Sequence, residues 1–156
     1  MARLKQLTKK AVLWSIYKYQ EKWNQGDREG VRERYTKKVT ILDSNERVDG
    51  IADFMKCLRR DFPNAKAMGH LDMRMTKCLL APGRHPTMAT SISVRHLALK
   101  NGKHWFGNCH ETYVLDEEGK VRVAEVAMVT TWPKPKQKRK RKRVRKGGTH
   151  ATANDR

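Results

Sequence analysis

Apolar residues recur at helical spacing near the start of the chain and alternate at strand spacing from residue 70 onward, and this change of period divides the sequence. Leu4, Leu7, Ala11 and Trp14, flanked by Leu13, Ile16, Tyr17 and Gln20, fall at three- and four-residue intervals, and Trp23 extends the stripe. Gly26 suits a left-handed helix stop, and Asp27 stands where an N-cap belongs. Val31 and Tyr35 then supply the apolar face of a short second helix. Val39 and Ile41 are β-branched and predict a strand, Asp43-Ser44-Asn45 is turn chemistry, and Val48 starts a short return strand. Gly50 opens a third helix whose apolar side carries Ile51, Phe54, Met55 and Leu58, and Pro63 stops it.

Beyond Pro63 the pattern alternates. His70 to Leu80 reads as a strand with Leu71, Met73, Met75 and Leu79 on one face. Pro82 to Pro86 is a loop, and Met88 to Leu99 is a second strand with Ile92, Val94, His96 and Ala98 sharing a face. Asn101-Gly102 predicts a tight hairpin, because both central positions of such a turn need positive φ. His104 to Leu115 returns, Asp116 to Gly119 turns again, and Val121 to Trp132 is the last strand. The expected fold is α+β: three N-terminal helices packed in a strongly bent antiparallel sheet.

The residues NQGD at Asn24–Asp27, followed by Val31, Tyr35 and the run RVDGIADFMKCLRRDFP, resemble the helical half of the nuclear transport factor 2-like superfold. The stretch NGKHWFGNCHETYVLDEEGKVRVAEV is similar to the closing hairpin of its SnoaL-like branch. The resemblance covers about residues 10–132. It implies a cone-shaped, cystatin-like sheet wrapped around helices, an apolar cavity open to a small apolar ligand, and a homodimer packed through the sheet's outer face. Many relatives carry an acid near the start of the first strand and an Asp near the end of the last. Here Thr36-Lys37-Lys38 and Ala124 to Trp132 supply neither.

Charge changes the picture most. Of a formal +19 over 156 residues, ten cations lie in one run: Lys134, Lys136, Lys138, Arg139, Lys140, Arg141, Lys142, Arg143, Arg145 and Lys146. Taking these ten from +19 leaves +9 for the remainder. Like charges repel and the run has almost no apolar content, so residues 133–156 are expected to be a disordered tail on a domain spanning 1–132. The run has no aromatic residue between its cations. It suits contact with RNA or DNA phosphates without base readout, or with a nuclear import receptor. The three cysteines, Cys57, Cys78 and Cys109, are odd in number and widely spaced, which points to reduced thiols. The basic opening MARLKQLTKK lacks the Arg/Ser richness of a targeting peptide and runs straight into helical periodicity. No apolar run is long enough for a bilayer-spanning helix. The chain is expected to be intracellular, nuclear in a eukaryotic cell, with cytoplasmic or ribonucleoprotein-associated placement as alternatives.

Candidate chemistry follows from the strands. His96 and His110 are acid/base candidates if their faces line a cavity, with Asp72 or Glu125 to orient them. Trp14, Tyr17, Tyr35, Met73 and Met75 are the expected pocket lining. Cys109-His110-Glu111 cannot act together on a metal, since adjacent strand residues point to opposite faces, and neither a metal nor a cofactor is expected. The leading reading is a non-enzymatic binding or scaffold module directed by its tail. The alternative is a small-molecule cyclase, isomerase or dehydratase, and a third reading is a structural subunit of a ribosome-like particle.

Overall fold

The computed structural model of the protein describes residues 5–44 and 46–131. The basic run Lys134–Lys146 and the expected boundary at residue 133 lie outside the described residues. Helix α1 spans Lys9–Asn24, and the Thr8 hydroxyl caps it by accepting from the Ala11 N–H at 3.0 Å. Its buried stripe is Val12, Ile16, Tyr19 and Trp23. Leu13, Trp14 and Tyr17 are 44%, 52% and 55% exposed, so the helix is rotated by about one residue from the face expected. Trp23 fixes that rotation. Its indole N–H donates to the Met68 carbonyl at 2.7 Å, and its ring meets Phe62 edge-on.

The NQGD turn is a joint in which each residue type has a task. Gly26 has φ +71°, and a Cβ there would lie 2.4 Å from the Ala65 side chain, so neither the conformation nor the space admits another residue. Asp27 accepts from the Gly30 N–H at 2.9 Å and caps α2, Arg28–Arg32. That bond, with help from Lys22, holds the Asp27 carboxyl below the ordinary Asp value. Tyr35 leaves the helix and starts β1, Tyr35–Asp43, followed by β2, Glu46–Asp49, and α3, Ile51–Asp61.

Strands β3 (His70–Leu80), β4 (Met88–Ala98), β5 (His104–Leu115) and β6 (Val121–Thr131) run as consecutive antiparallel neighbours, as expected. The full order is β2-β1-β6-β5-β4-β3, and β1 pairs with β6 in parallel. The sheet is therefore mixed, where an antiparallel one was expected, because β1 enters beside the last strand instead of beside β3. Register shifts at Tyr35/Thr40, Met75/Lys77 and Thr112/Tyr113 bend it. The second shift turns Leu79 outward, 56% exposed, away from the face it was expected to share with Leu71 and Met73. Gly107 lies where β5 passes so close to β6 that a Cβ would sit 2.5 Å from the Val129 carbonyl oxygen.

The sheet does not close, and β3 is an edge with unpaired backbone groups. Helix α1 covers that edge with amides one turn apart. Gln20 accepts from the Met73 N–H at 3.0 Å, while Asn24 accepts from the Leu71 N–H at 2.7 Å and donates to the Leu71 carbonyl at 3.1 Å. Replacing Asn24 by alanine should lower unfolding free energy by about 1–3 kcal/mol, since two net hydrogen bonds disappear and leave backbone groups to find water. Urea denaturation reads this directly, and a loss below about 0.5 kcal/mol would mean the edge needs no such cover.

Candidate ligand cavity

Helices α1 and α3, and every strand, contribute to a cavity of about 120 Å³. Its apolar wall comes from Tyr19, Trp23, Phe54, Phe62, Met73 and Trp105. Arg34, Arg95, Cys109 and Glu111 bring charge and a thiol to the same space. Strand parity explains the grouping. Register neighbours Ser93 and Cys109, Ser91 and Glu111, and Met73 and Arg95 share the concave side.

Arg34 and Glu111, 77 residues apart in sequence, form a buried fork: Nη1 to Oε2 at 2.5 Å and Nη2 to Oε1 at 2.9 Å. Nη2 also donates to the Tyr113 hydroxyl at 2.8 Å, and that hydroxyl donates to Glu111 Oε1 at 3.0 Å. The guanidinium lies 4.4 Å from the centre of the Tyr19 ring. Burial works against the charge on Arg34, but Glu111 outweighs it and holds the guanidinium protonated well above its ordinary value. Burial pushes the Tyr35 and Tyr113 hydroxyls well up, and pushes the Cys109 thiol up to about 12 with Glu111 adding to it.

Arg95 is held differently. Its guanidinium sits 5.4 Å from the Trp23 ring centre, and Nη1 donates to the weak acceptor Met128 Sδ at 2.9 Å. Its Nε is buried without a hydrogen-bond partner among the described residues. At the mouth, Arg60 pairs with Asp61 at 2.7 Å and with Glu46 at 3.7 Å, and Asp43 accepts from the Thr130 hydroxyl at 2.9 Å.

The residues singled out from sequence divide between the two sides of the sheet. Tyr35 and Met73 line the cavity, and Met75 packs beside the core without reaching it. Trp14 and Tyr17 stack on each other on the outside of α1, a correction to their expected lining role. His96, His110, Asp72 and Glu125 stand on the outer face of the sheet, so the condition on which they were acid/base candidates, a face lining the cavity, is not met, and that candidacy is corrected. Asp72 is opposite His96, His96 stacks on Phe106 at 4.4 Å, and His110 and Glu125 border a shallow hollow with Thr40 and Leu42. Parity misled because β4 is inverted: its apolar Ile92 and Val94 face out while Ser91 and Ser93 face in. Leu42, Leu79, Val94 and Val129 are exposed on that outer face, the surface through which the resemblance implies pairing. No local pattern singles out Arg34, and for Arg95 the one usable signal in the sequence is an arginine alternating with Ser91 and Ser93 on an otherwise uncharged face. Among the described residues no group of three or more His, Cys, Asp or Glu comes together to hold a metal ion, and no helix is long and apolar enough to cross a membrane.

Helices gathered inside a bent, open sheet around a cavity define the cone-shaped, cystatin-like fold of the nuclear transport factor 2-like proteins. Solved structures agree. The chain superposes on an NTF-2-like protein of unknown function from Shewanella oneidensis MR-1 with TM-score 0.69 and 12% identity, covering 77% of this chain and 97% of that one. A ketosteroid isomerase-like protein from Erwinia carotovora atroseptica gives TM-score 0.65 and 11% identity over 80% of this chain and 96% of the other. A domain of unknown function with a cystatin-like fold from Nostoc punctiforme gives 0.66 and 10%, covering 81% of each. No protein-family profile matches the sequence, and no curated protein matches it.

Proposed function

We propose that this chain is a non-catalytic binding module: the cone takes a small molecule, and the basic run Lys134–Lys146 brings the domain to nucleic-acid phosphates. The observation that supports the first half is the state of Glu111. The cavity's most deeply buried carboxylate already accepts hydrogen bonds at both oxygens, and its charge is matched by Arg34. No histidine is among the lining residues. The enzyme reading drew its proton donors and acceptors from His96, His110, Asp72 and Glu125, and their outer-face position leaves the cavity without those groups. The fold does not choose between the readings, because an NTF-2-like protein of unknown function and a ketosteroid isomerase-like protein share it.

The second half rests on composition. Ten cations in the run can neutralise several phosphates, and each releases a counterion. Fluorescence anisotropy with generic RNA and DNA strands should show affinity falling about a thousandfold between roughly 50 and 200 mM salt. Truncation after Pro133 should abolish binding without lowering the melting temperature. Binding that ignores salt, or that survives truncation, would remove the nucleic-acid role. Binding to an import receptor alone would leave the tail as an address.

A further inference from the structure

Resting on the pocket reading above, we propose that the cavity is selective for a small monocarboxylate with an apolar body of about one ring, and that Arg95 is its anchor. Three features converge on this. A guanidinium lines the cavity with no carboxylate paired to it among the described residues, its Nε buried and unmatched, and the Met128 thioether accepting from its Nη1. The nearby Glu111 supports its charge from a distance but makes no hydrogen bond to it, its oxygens accepting from Arg34 and Tyr113 instead. A partly desolvated cation in this state gains from an anion that enters, and the planar fork of arginine matches a carboxylate's two oxygens.

Shape and charge narrow the class. The space of about 120 Å³ is somewhat smaller than the roughly 150 Å³ engineered cavity that admits benzene. Its wall beside Arg95 is aromatic, from Trp23, Phe62 and Trp105, which suits a ring or a short branched chain. A second negative charge is disfavoured. Glu111 stands inside, and Asp43, Glu46 and Asp61 stand around the mouth against the single cation Arg60. The geometry thus separates a buried, monoanion-selective site from the cationic tail, which would favour higher charge.

Titration calorimetry on the full chain at physiological salt, with benzoate, its neutral isostere benzamide and the dianion phthalate, tests the assignment. Benzoate should bind at least tenfold tighter than either of the others, and Arg95→Met should weaken benzoate at least tenfold while leaving benzamide unchanged. Arg95→Met should also melt no lower than the parent, since it removes a half-buried cation with no paired carboxylate and an unmatched Nε. If that variant fails to fold, the three-ligand comparison on the parent decides alone. Equal binding of benzoate and benzamide would overturn the anion selectivity and leave the pocket reading standing. Phthalate binding better than benzoate would overturn it in favour of the surface cations, and no binding by any of the three would overturn both readings.

Discussion

Glu111→Gln should destabilise the domain by about 3–5 kcal/mol, on the order of 10 °C in melting temperature, although the substitution changes hardly any volume. The reason is what it leaves behind. Arg34 is 7% exposed, and two of its hydrogen bonds end on Glu111. With the carboxylate gone, a charged guanidinium stays buried against Tyr19 with only a hydroxyl and an amide to compensate it. The paired state itself is a different matter. Desolvating two charges offsets most of their attraction, so a double substitution, Arg34→Met with Glu111→Leu, should recover most of the loss. Chemical denaturation of the two single variants and the double closes the cycle. A Glu111→Gln cost below about 1 kcal/mol would mean that water reaches Arg34, and the pair would then have no claim to organise the cavity.

The fork also shows where sequence reasoning stops. Local signals were legible because they act within a few residues. Gly50 and Pro63 bracket α3, and the alternation from His104 to Leu115 marks β5. The β4–β5 turn falls where expected, but its central pair is Lys100-Asn101, and only Gly102 takes the positive φ, +81°, that was expected of both Asn101 and Gly102. The face of a strand is a tertiary fact. On β4 the inward positions are Ser91, Ser93 and Arg95, of which Arg95 lines the cavity and Ser91 lies against the Tyr113 hydroxyl, while Ile92 and Val94 are left outside. Hydrophobic alternation read literally puts His96 inside and Arg95 outside, the reverse of the structure. Helix α1 failed in a milder way, since Leu13, Trp14 and Tyr17 give it apolar residues on more than one side. The Arg34–Glu111 pair could not be read at all: 77 residues separate the partners, and 33% of the chain is charged, so many pairings fit equally well.

Stability should also fall on the alkaline side, from about pH 9 upward, and the fall should come from inside the cone. Cys109 is 3% exposed, and burial raises its thiol from an ordinary 9.0 to about 12. Tyr35 and Tyr113 are raised from 10.0 by the same cause. All three groups carry charge only when deprotonated, so the folded chain keeps protons that the unfolded chain gives up. Below pH 9 both states hold the thiol proton and stability is unaffected. Above it the unfolded state binds fewer protons, so unfolding free energy declines as pH rises, until the folded thiol too would ionise near 12. A three-decade difference in proton affinity corresponds to about 4 kcal/mol for Cys109 by pH 12, with the tyrosines adding in the same direction from pH 10. Urea denaturation at stepped pH should trace this decline, and the absorbance of buried tyrosinate should appear only together with unfolding. Cys109→Ala should make the decline between about pH 9 and pH 10 shallower, leaving the part due to Cys78, whose thiol burial also raises from 9.0. A stability profile flat to pH 11, or ionisation of Tyr35 or Tyr113 that runs ahead of unfolding in a variant lacking the exposed Tyr17, would show that solvent reaches the cone interior and that the groups lining it are not desolvated.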